Sequence, residues 1–136
     1  MIKRFFIFVA FLFLTGCNQS DEPLSGKTPY EHEKGEYEVS EEDIVLRGKG
    51  SVNRERLEEF IQHVKEGTQD EVRVIRYTEE GDPIIDDLTF DGSKITATHD
   101  TRWDHFGAPD ITEQTCESIQ LDENGDWVSF SLSGCH

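Results

Sequence analysis

The stretch that decides the fold is Arg54-Glu55-Arg56-Leu57-Glu58-Glu59-Phe60-Ile61-Gln62-His63-Val64-Lys65-Glu66-Gly67, followed after a short polar break by Val72-Arg73-Val74-Ile75-Arg76-Tyr77. In the first part Leu57, Phe60, Ile61 and Val64 recur at i, i+3, i+4 and i+7, which lines them along one stripe of a helix. Glu58, Glu59, Gln62 and Glu66 fall on the opposite side and face water. Ser51 or Asn53 stands where a capping oxygen belongs, Glu55 suits the first turn, and Lys65 with Gly67 suits the end. The acidic polar face distinguishes this helix from one lying in a membrane surface, whose polar face is basic. In the second part apolar residues occupy both parities, the pattern of a strand central in its sheet.

Working outward, the alternation of strands continues on both sides. Upstream, Ile44-Val45-Leu46 reads as a first strand ended by Gly48 and Gly50. Downstream, Glu80-Gly81-Asp82-Pro83 is a turn, after which Ile84, Leu88 and Phe90 share one face with Asp86 among them. Asp91-Gly92 is a strong hairpin signal, and Ile95, Ala97 and His99 follow on one face. Residues 101–111 read as a longer loop. A final hairpin runs through Ile119-Gln120-Leu121, Asn124-Gly125 and Val128-Ser129-Phe130-Ser131-Leu132. A two-residue turn there pairs Leu121 with Val128 and Ile119 with Phe130. A four-residue loop pairs Leu121 with Phe130 and sets Cys116 opposite Cys135. Both registers bring the cysteines to one face at the open end of the hairpin. A disulfide between them would stabilise the domain by about 3 kcal/mol through loop closure; the alternative is two free buried thiols. The expectation is an α+β domain over residues 41–136, with one amphipathic helix packed on an antiparallel sheet of about five to six strands and closed by one disulfide.

The N-terminus reads differently. Lys3 and Arg4 precede an apolar run from Phe5 to Leu14, and Leu14-Thr15-Gly16-Cys17 follows. A membrane-spanning helix needs about 20 apolar residues, so this short run with a basic flank and a small-residue site reads as a signal peptide over residues 1–16. Its end resembles the bacterial lipobox, which implies cleavage before Cys17 and lipidation of that cysteine; the alternative is an ordinary signal peptide with a chance cysteine. More than one acyl chain anchors stably, so the resemblance implies a protein held on the outer, extracytoplasmic face of the cell membrane. Asn18 offers no acidic residue after the cysteine. With Cys17 lipidated, Cys116 and Cys135 remain as a pair in an oxidising compartment. Residues 17–40, with Pro23, Gly26, Pro29 and Gly35 among acids and few large apolar groups, read as a lipid-anchored flexible acidic tether.

The chain carries 13 basic and 29 acidic residues in 136, a formal charge of −16. Removal of residues 1–16, which hold Lys3 and Arg4 and no acid, leaves 11 bases against 29 acids, or −18. Such a charge repels nucleic acid, anionic lipid and anionic polymers, and excludes nucleic-acid binding as a function. One domain's length of chain remains, enough for a modest core.

The helix, the run Arg76-Tyr77-Thr78-Glu79-Glu80-Gly81-Asp82-Pro83-Ile84, the segment Asp100-Thr101-Arg102-Trp103-Asp104-His105-Phe106-Gly107 and the two late cysteines are similar to an uncharacterised lipoprotein domain family of Bacillus-type bacteria. The resemblance covers about Asp43 to Cys135. It implies a location and domain boundaries and supplies no catalytic residue.

Candidate sites are few. Arg102, Trp103, His105 and Phe106 gather in one loop, and exposed aromatics beside arginine are typical of recognition hot spots; the competing reading folds Trp103 and Phe106 back as a lid on the core. His99, Asp100, Asp104 and His105 have metal-ligand chemistry but no specific spacing, and a half-buried His99–Asp86 pair accounts for His99 without metal. Asp122-Glu123-Asn124-Gly125-Asp126 is acidic, yet it lacks the twelve-residue calcium loop and is already explained as a turn. No nucleophile elbow or phosphate-binding glycine loop is present. The functional expectation is a membrane-anchored extracytoplasmic lipoprotein, not an enzyme and without cofactor, serving as a small binding or regulatory module for an envelope or secreted partner. The alternatives are a structural or stress-related envelope lipoprotein, or a metal-dependent enzyme built around His99 and His105.

Overall fold

The structure, a computed structural model, describes residues 30–48 and 50–136; the signal segment and Cys17 lie outside the described residues. The elements are β1 (Ile44–Leu46), α1 (Arg54–Glu66), β2 (Asp70–Tyr77), β3 (Pro83–Phe90), β4 (Ile95–Asp100), β5 (Ile111–Cys116), β6 (Ser118–Asn124) and β7 (Trp127–Ser133). The helix ends where Gly67 adopts a left-handed conformation (φ 73°), and the turn closes onto the carbonyls of His63 and Val64. Its start differs from expectation. Asn53 occupies the N-cap position, but its side-chain amide donates to the carbonyls of Glu41 and Asp43, and Ser51 is engaged with Arg47. The entry turn consumes both capping side chains, Asn53 to hold the chain before β1 and Ser51 to hold it just after.

β1 to β5 form one sheet in sequence order, and β6 and β7 form a second, two-stranded sheet. The expectation of an antiparallel sheet is therefore corrected to a mixed one, because β1 and β2 are parallel, Ile44 opposite Val74 and Leu46 opposite Arg76. The reason is the crossover: a helix between two adjacent strands returns the chain to the starting end, so the second strand repeats the direction of the first. The outer edge of β1 is closed by two backbone hydrogen bonds exchanged between Val45 and Val52, 3.0 and 2.9 Å.

The remaining neighbours are antiparallel. Asp91 turns β3 into β4 by accepting the backbone N–H groups of Ser93 and Lys94, each at 2.8 Å, and these donors hold its carboxyl below the usual range. β5 is a strand that the residue pattern hides: Thr112, Glu113 and Gln114 lie exposed on an edge and carry no apolar alternation. The last hairpin takes the second of the two anticipated registers, Leu121 opposite Phe130 and Ile119 opposite Leu132, around a turn in which Gly125 has φ 64°. Cys116 and Cys135 are joined as a disulfide, and Thr115 and His136 exchange backbone hydrogen bonds beside it.

One face of the five-stranded sheet carries α1 and the β6–β7 hairpin. Leu57, Phe60 and Ile61 of the helix pack with Ile44, Leu46, Val74, Leu88, Phe90, Ile95 and Ile119. Each large side chain fully buried this way contributes about 1.5–3 kcal/mol. The other face buries Val45, Ile75 and Ile85, which alternate with the core residues along β1, β2 and β3.

At the junction of helix and sheet, Arg56 donates to Asp70 (2.9 and 2.5 Å) and to the Glu71 carbonyl (3.1 Å), while His63 Nδ1 lies 2.8 Å from the same carboxylate. Burial by itself would raise the Asp70 carboxyl, but the hydrogen bonds from Arg56, His63 and the Glu71 N–H hold it at about 2. An Asp lowered from its ordinary 3.8 contributes about 2 kcal/mol of stability. That contribution is present above the unfolded value and is lost as the pH falls through about 4 to 2. Urea titrations of Asp70→Asn are expected to show a loss of about 2 kcal/mol at neutral pH and a shallower decline in that acid window than the parent chain.

Candidate functional site

The connection between β4 and β5 is built as a closed-neck loop. Thr101 N–H donates to the Asp110 carbonyl at 2.9 Å, and the Thr101 hydroxyl accepts Asp110 N–H at 3.0 Å and bonds the Ala108 carbonyl, also at 3.0 Å. Inside the neck, Asp104 Oδ1 accepts the N–H groups of Phe106 (3.0 Å) and Gly107 (2.9 Å). A Cβ at Gly107 would lie 2.4 Å from Asp104 Oδ2, so a larger residue there would displace the carboxylate that holds the turn.

Three of the four expected recognition residues are engaged within the chain. Arg102 grips Asp100 through Nε (3.0 Å) and Nη2 (2.8 Å), and its Nη1 meets Glu33 at 2.6 Å. Burial would raise the Asp100 carboxyl, yet the Arg102 guanidinium and backbone N–H outweigh it and hold it low. Trp103 receives Tyr37 edge-on, ring centroids 5.3 Å apart. His105 donates its backbone N–H to Asp82 at 2.9 Å and places Nδ1 3.2 Å from the same carboxylate, which that backbone bond and the imidazole lower. Phe106 alone projects, 78% exposed.

The partners of these residues come from a segment that composition reads as tether. Glu33 N–H donates to the Arg102 carbonyl at 2.9 Å. The His32 ring stacks on His105 with centroids 6.1 Å apart and planes 10° from parallel. Tyr37 lies against Trp103 and accepts a hydrogen bond from Arg73, which also holds Asp87 at 2.6 and 2.9 Å. Burial pushes the Tyr37 hydroxyl up, partly offset by Arg73. Residues 30–37 thus form a strap along the outer face of the sheet. The sequence reasoning missed this role for His32, Glu33 and Tyr37. The available signal was three rings, Tyr30, His32 and Tyr37, in a stretch otherwise polar.

The grouping of His99, Asp100, Asp104 and His105 as metal ligands does not form. His99 faces the helix side, opposite Asp86 in the β3–β4 register, with Nδ1 2.7 Å from Asp86 Oδ1. Arg76 completes that cluster at 2.8 and 2.7 Å from Asp86 Oδ2 and lies 5.4 Å from the Phe130 ring centroid. The buried Asp86 carboxylate is therefore satisfied by two side chains. Asp100 turns to Arg102 and Asp104 to its own loop. Among the described residues, no three His, Cys, Asp or Glu side chains are placed to hold a metal ion. The acidic run 122–126 forms the β6–β7 turn, with Glu123 paired to Arg54.

A groove of about 800 Å³ lies between residues 40–43, the start of α1 and the strands β2 and β3. Arg56 and Arg73 line it, their guanidinium groups already held by Asp70 and Asp87, and Glu41, Glu42 and Glu71 border it. Among the described residues no helix is long and apolar enough to cross a membrane.

The family described as a domain of unknown function (DUF4362) matches residues 41–129, from just before β1 into β7, leaving the strap and Cys135 outside the matched span. No curated protein and no solved structure matches the chain.

The geometry separates the two aromatics of the loop. Trp103→Ala removes the ring against which Tyr37 packs and is expected to lower stability by about 2–3 kcal/mol in urea unfolding. Phe106→Ala removes an exposed ring and is expected to change it by less than about 0.5 kcal/mol.

Proposed function

The chain belongs to the DUF4362 family of domains of unknown function, and from that premise we propose that it is a membrane-anchored extracytoplasmic lipoprotein acting as a small, non-enzymatic binding or regulatory module for an envelope or secreted partner. The single observation that carries the anchoring is the run Leu14-Thr15-Gly16-Cys17 behind Lys3, Arg4 and the apolar stretch from Phe5 to Leu14. The lipobox reading and an origin in Bacillus-type bacteria rest on that run and on the family resemblance. The paired state of Cys116 and Cys135 supports the same reading, since persistent disulfides belong to oxidising compartments, and it leaves Cys17 as the remaining cysteine for lipid.

The binding role is supported by the groove beside Arg56 and Arg73. Small ligands and peptide side chains seat in concavities of this size, and a few fixed polar groups orient them. The expected recognition loop contributes less, since Arg102, Trp103 and His105 already have partners within the chain.

The anchoring is tested by metabolic labelling with a radioactive fatty acid in a bacterial host. The parent chain is expected to take up label and to fractionate with membranes. Cys17→Ser is expected to lose the label and to appear in the medium or as uncleaved precursor. Equal labelling of the two chains refutes the assignment.

A further inference from the structure

We propose that the tip of the β4–β5 loop, Phe106 with Gly107, Ala108 and Pro109, contacts the lipid surface to which the chain is anchored. This rests on the lipoprotein reading given above and adds to it which end of the domain meets the membrane.

The tip is uncharged and exposed. Phe106 is 78% exposed, and Gly107 and Ala108 beside it are exposed as well. The charges that flank the tip are engaged within the chain. Asp104 is turned inward onto the Phe106 and Gly107 N–H groups, His105 is held by Asp82, and Asp110 accepts the N–H of Ile111. What remains is a short apolar projection whose backbone is fixed by hydrogen bonds.

The direction of the tip is inferred from where the described chain begins. His32 and Glu33 are attached to His105 and Arg102, so the described chain begins beside this same loop. The 13 residue steps from Cys17 to Tyr30 span at most about 47 Å when fully extended. The loop is therefore held against His32 and Glu33, among the described residues nearest along the chain to the anchor. Tethering converts a weak contact into an intramolecular one at high effective concentration.

A second exposed aromatic lies at the same end. β1 and β2 run parallel, so Gly48, just past β1, sits at the end of the sheet that also carries Asp82 and the start of the loop. The Trp127 ring lies over Gly48, 3.6 Å from the position a Cβ would take, and is 70% exposed. Phenylalanine and tryptophan are the residues that settle at the boundary between headgroups and acyl chains. Glu79 and Glu80, in the turn between β2 and β3, occupy this end too and oppose anionic headgroups. The contact is thus apolar in origin, dependent on the anchor, and weaker on anionic lipid.

The test uses the full lipidated chain reconstituted in phosphatidylcholine vesicles brominated in the upper acyl chain. Flotation first reports anchoring, without involving Phe106. Emission of Phe106→Trp, taken as the difference from the parent chain, is expected to be quenched about twofold or more relative to unbrominated vesicles and to lie to the blue of Gln62→Trp. Gln62→Trp, on the exposed side of α1, is expected to show no quenching. Adding phosphatidylglycerol to the vesicles is expected to reduce the Phe106→Trp quenching. A chain that floats but quenches equally at positions 62 and 106 overturns the lipid contact and leaves the anchor standing. A chain that does not float overturns both this proposal and the anchor on which it rests.

Discussion

The closure of α1 onto the parallel pair β1–β2 is the constraint on which the rest of the domain depends. Three residues of β1 have too few hydrogen bonds to hold themselves against β2, yet Ile44 and Leu46 are buried because Leu57 and Phe60 press on them from the helix. The helix in turn has no stable existence at thirteen residues without an apolar surface to cover. The crossover therefore forms as a unit. Once it exists, β2 has a second edge onto which β3 and β4 add by short antiparallel turns and β5 through the loop 101–110. The β6–β7 hairpin then fills the part of the same face that one helix cannot cover, and the Cys116–Cys135 bond ties its open end to β5.

A sheet with a single helix leaves its other face exposed, and Ile75 at zero exposure shows that this face is nonetheless buried. No second layer of regular structure is present among the described residues to do this. Tyr37, which reaches Arg73 on that face, Trp103 packed against it, and Arg47 stacked 3.9 Å from the Tyr77 ring centroid lie there instead. The strap and the loop are held by one another through Glu33 and Arg102 as much as by the sheet. This couples the start of the described chain to the loop that sequence alone marks as a recognition surface. It also means that the arginine and tryptophan of that loop are structural before they are anything else.

Much of the fold was legible because it rests on local periodicity. The stripe Leu57, Phe60, Ile61 and Val64, the double-parity strand at Val72 to Tyr77, and the Asp91-Gly92 turn each announce themselves within a few residues. The His99–Asp86 pair was legible for the same reason, since hairpin register is arithmetic once the turn is known. What was hidden lacks such a signal. The parallel sense of β1 depends on where a helix delivers the chain, and β5 is an edge strand whose Thr, Glu and Gln residues have no face to bury. The strap was hidden because its contacts are with residues some seventy positions away, Glu33 with Arg102 and His32 with His105. Composition reports average polarity, and a polar segment held by three or four specific contacts looks the same as one held by none.

The surplus of acid explains why the loop presents an apolar tip rather than a cationic one. With 29 acids against 13 bases in the chain, most of the described guanidinium groups find a carboxylate within reach. Arg54, Arg56, Arg73, Arg76 and Arg102 each pair with one, and Arg47 lies over Tyr77. Exposed pairs of this kind add little stability individually, typically 0 to about 1 kcal/mol. Their effect is to withdraw positive charge from recognition. An arginine in such a chain tends to brace carboxylates, as Arg102 does with Asp100 and Glu33, rather than to meet an anionic partner. The groups then left to project from the loop are those with no use for a counter-charge, and Phe106 is the largest of them.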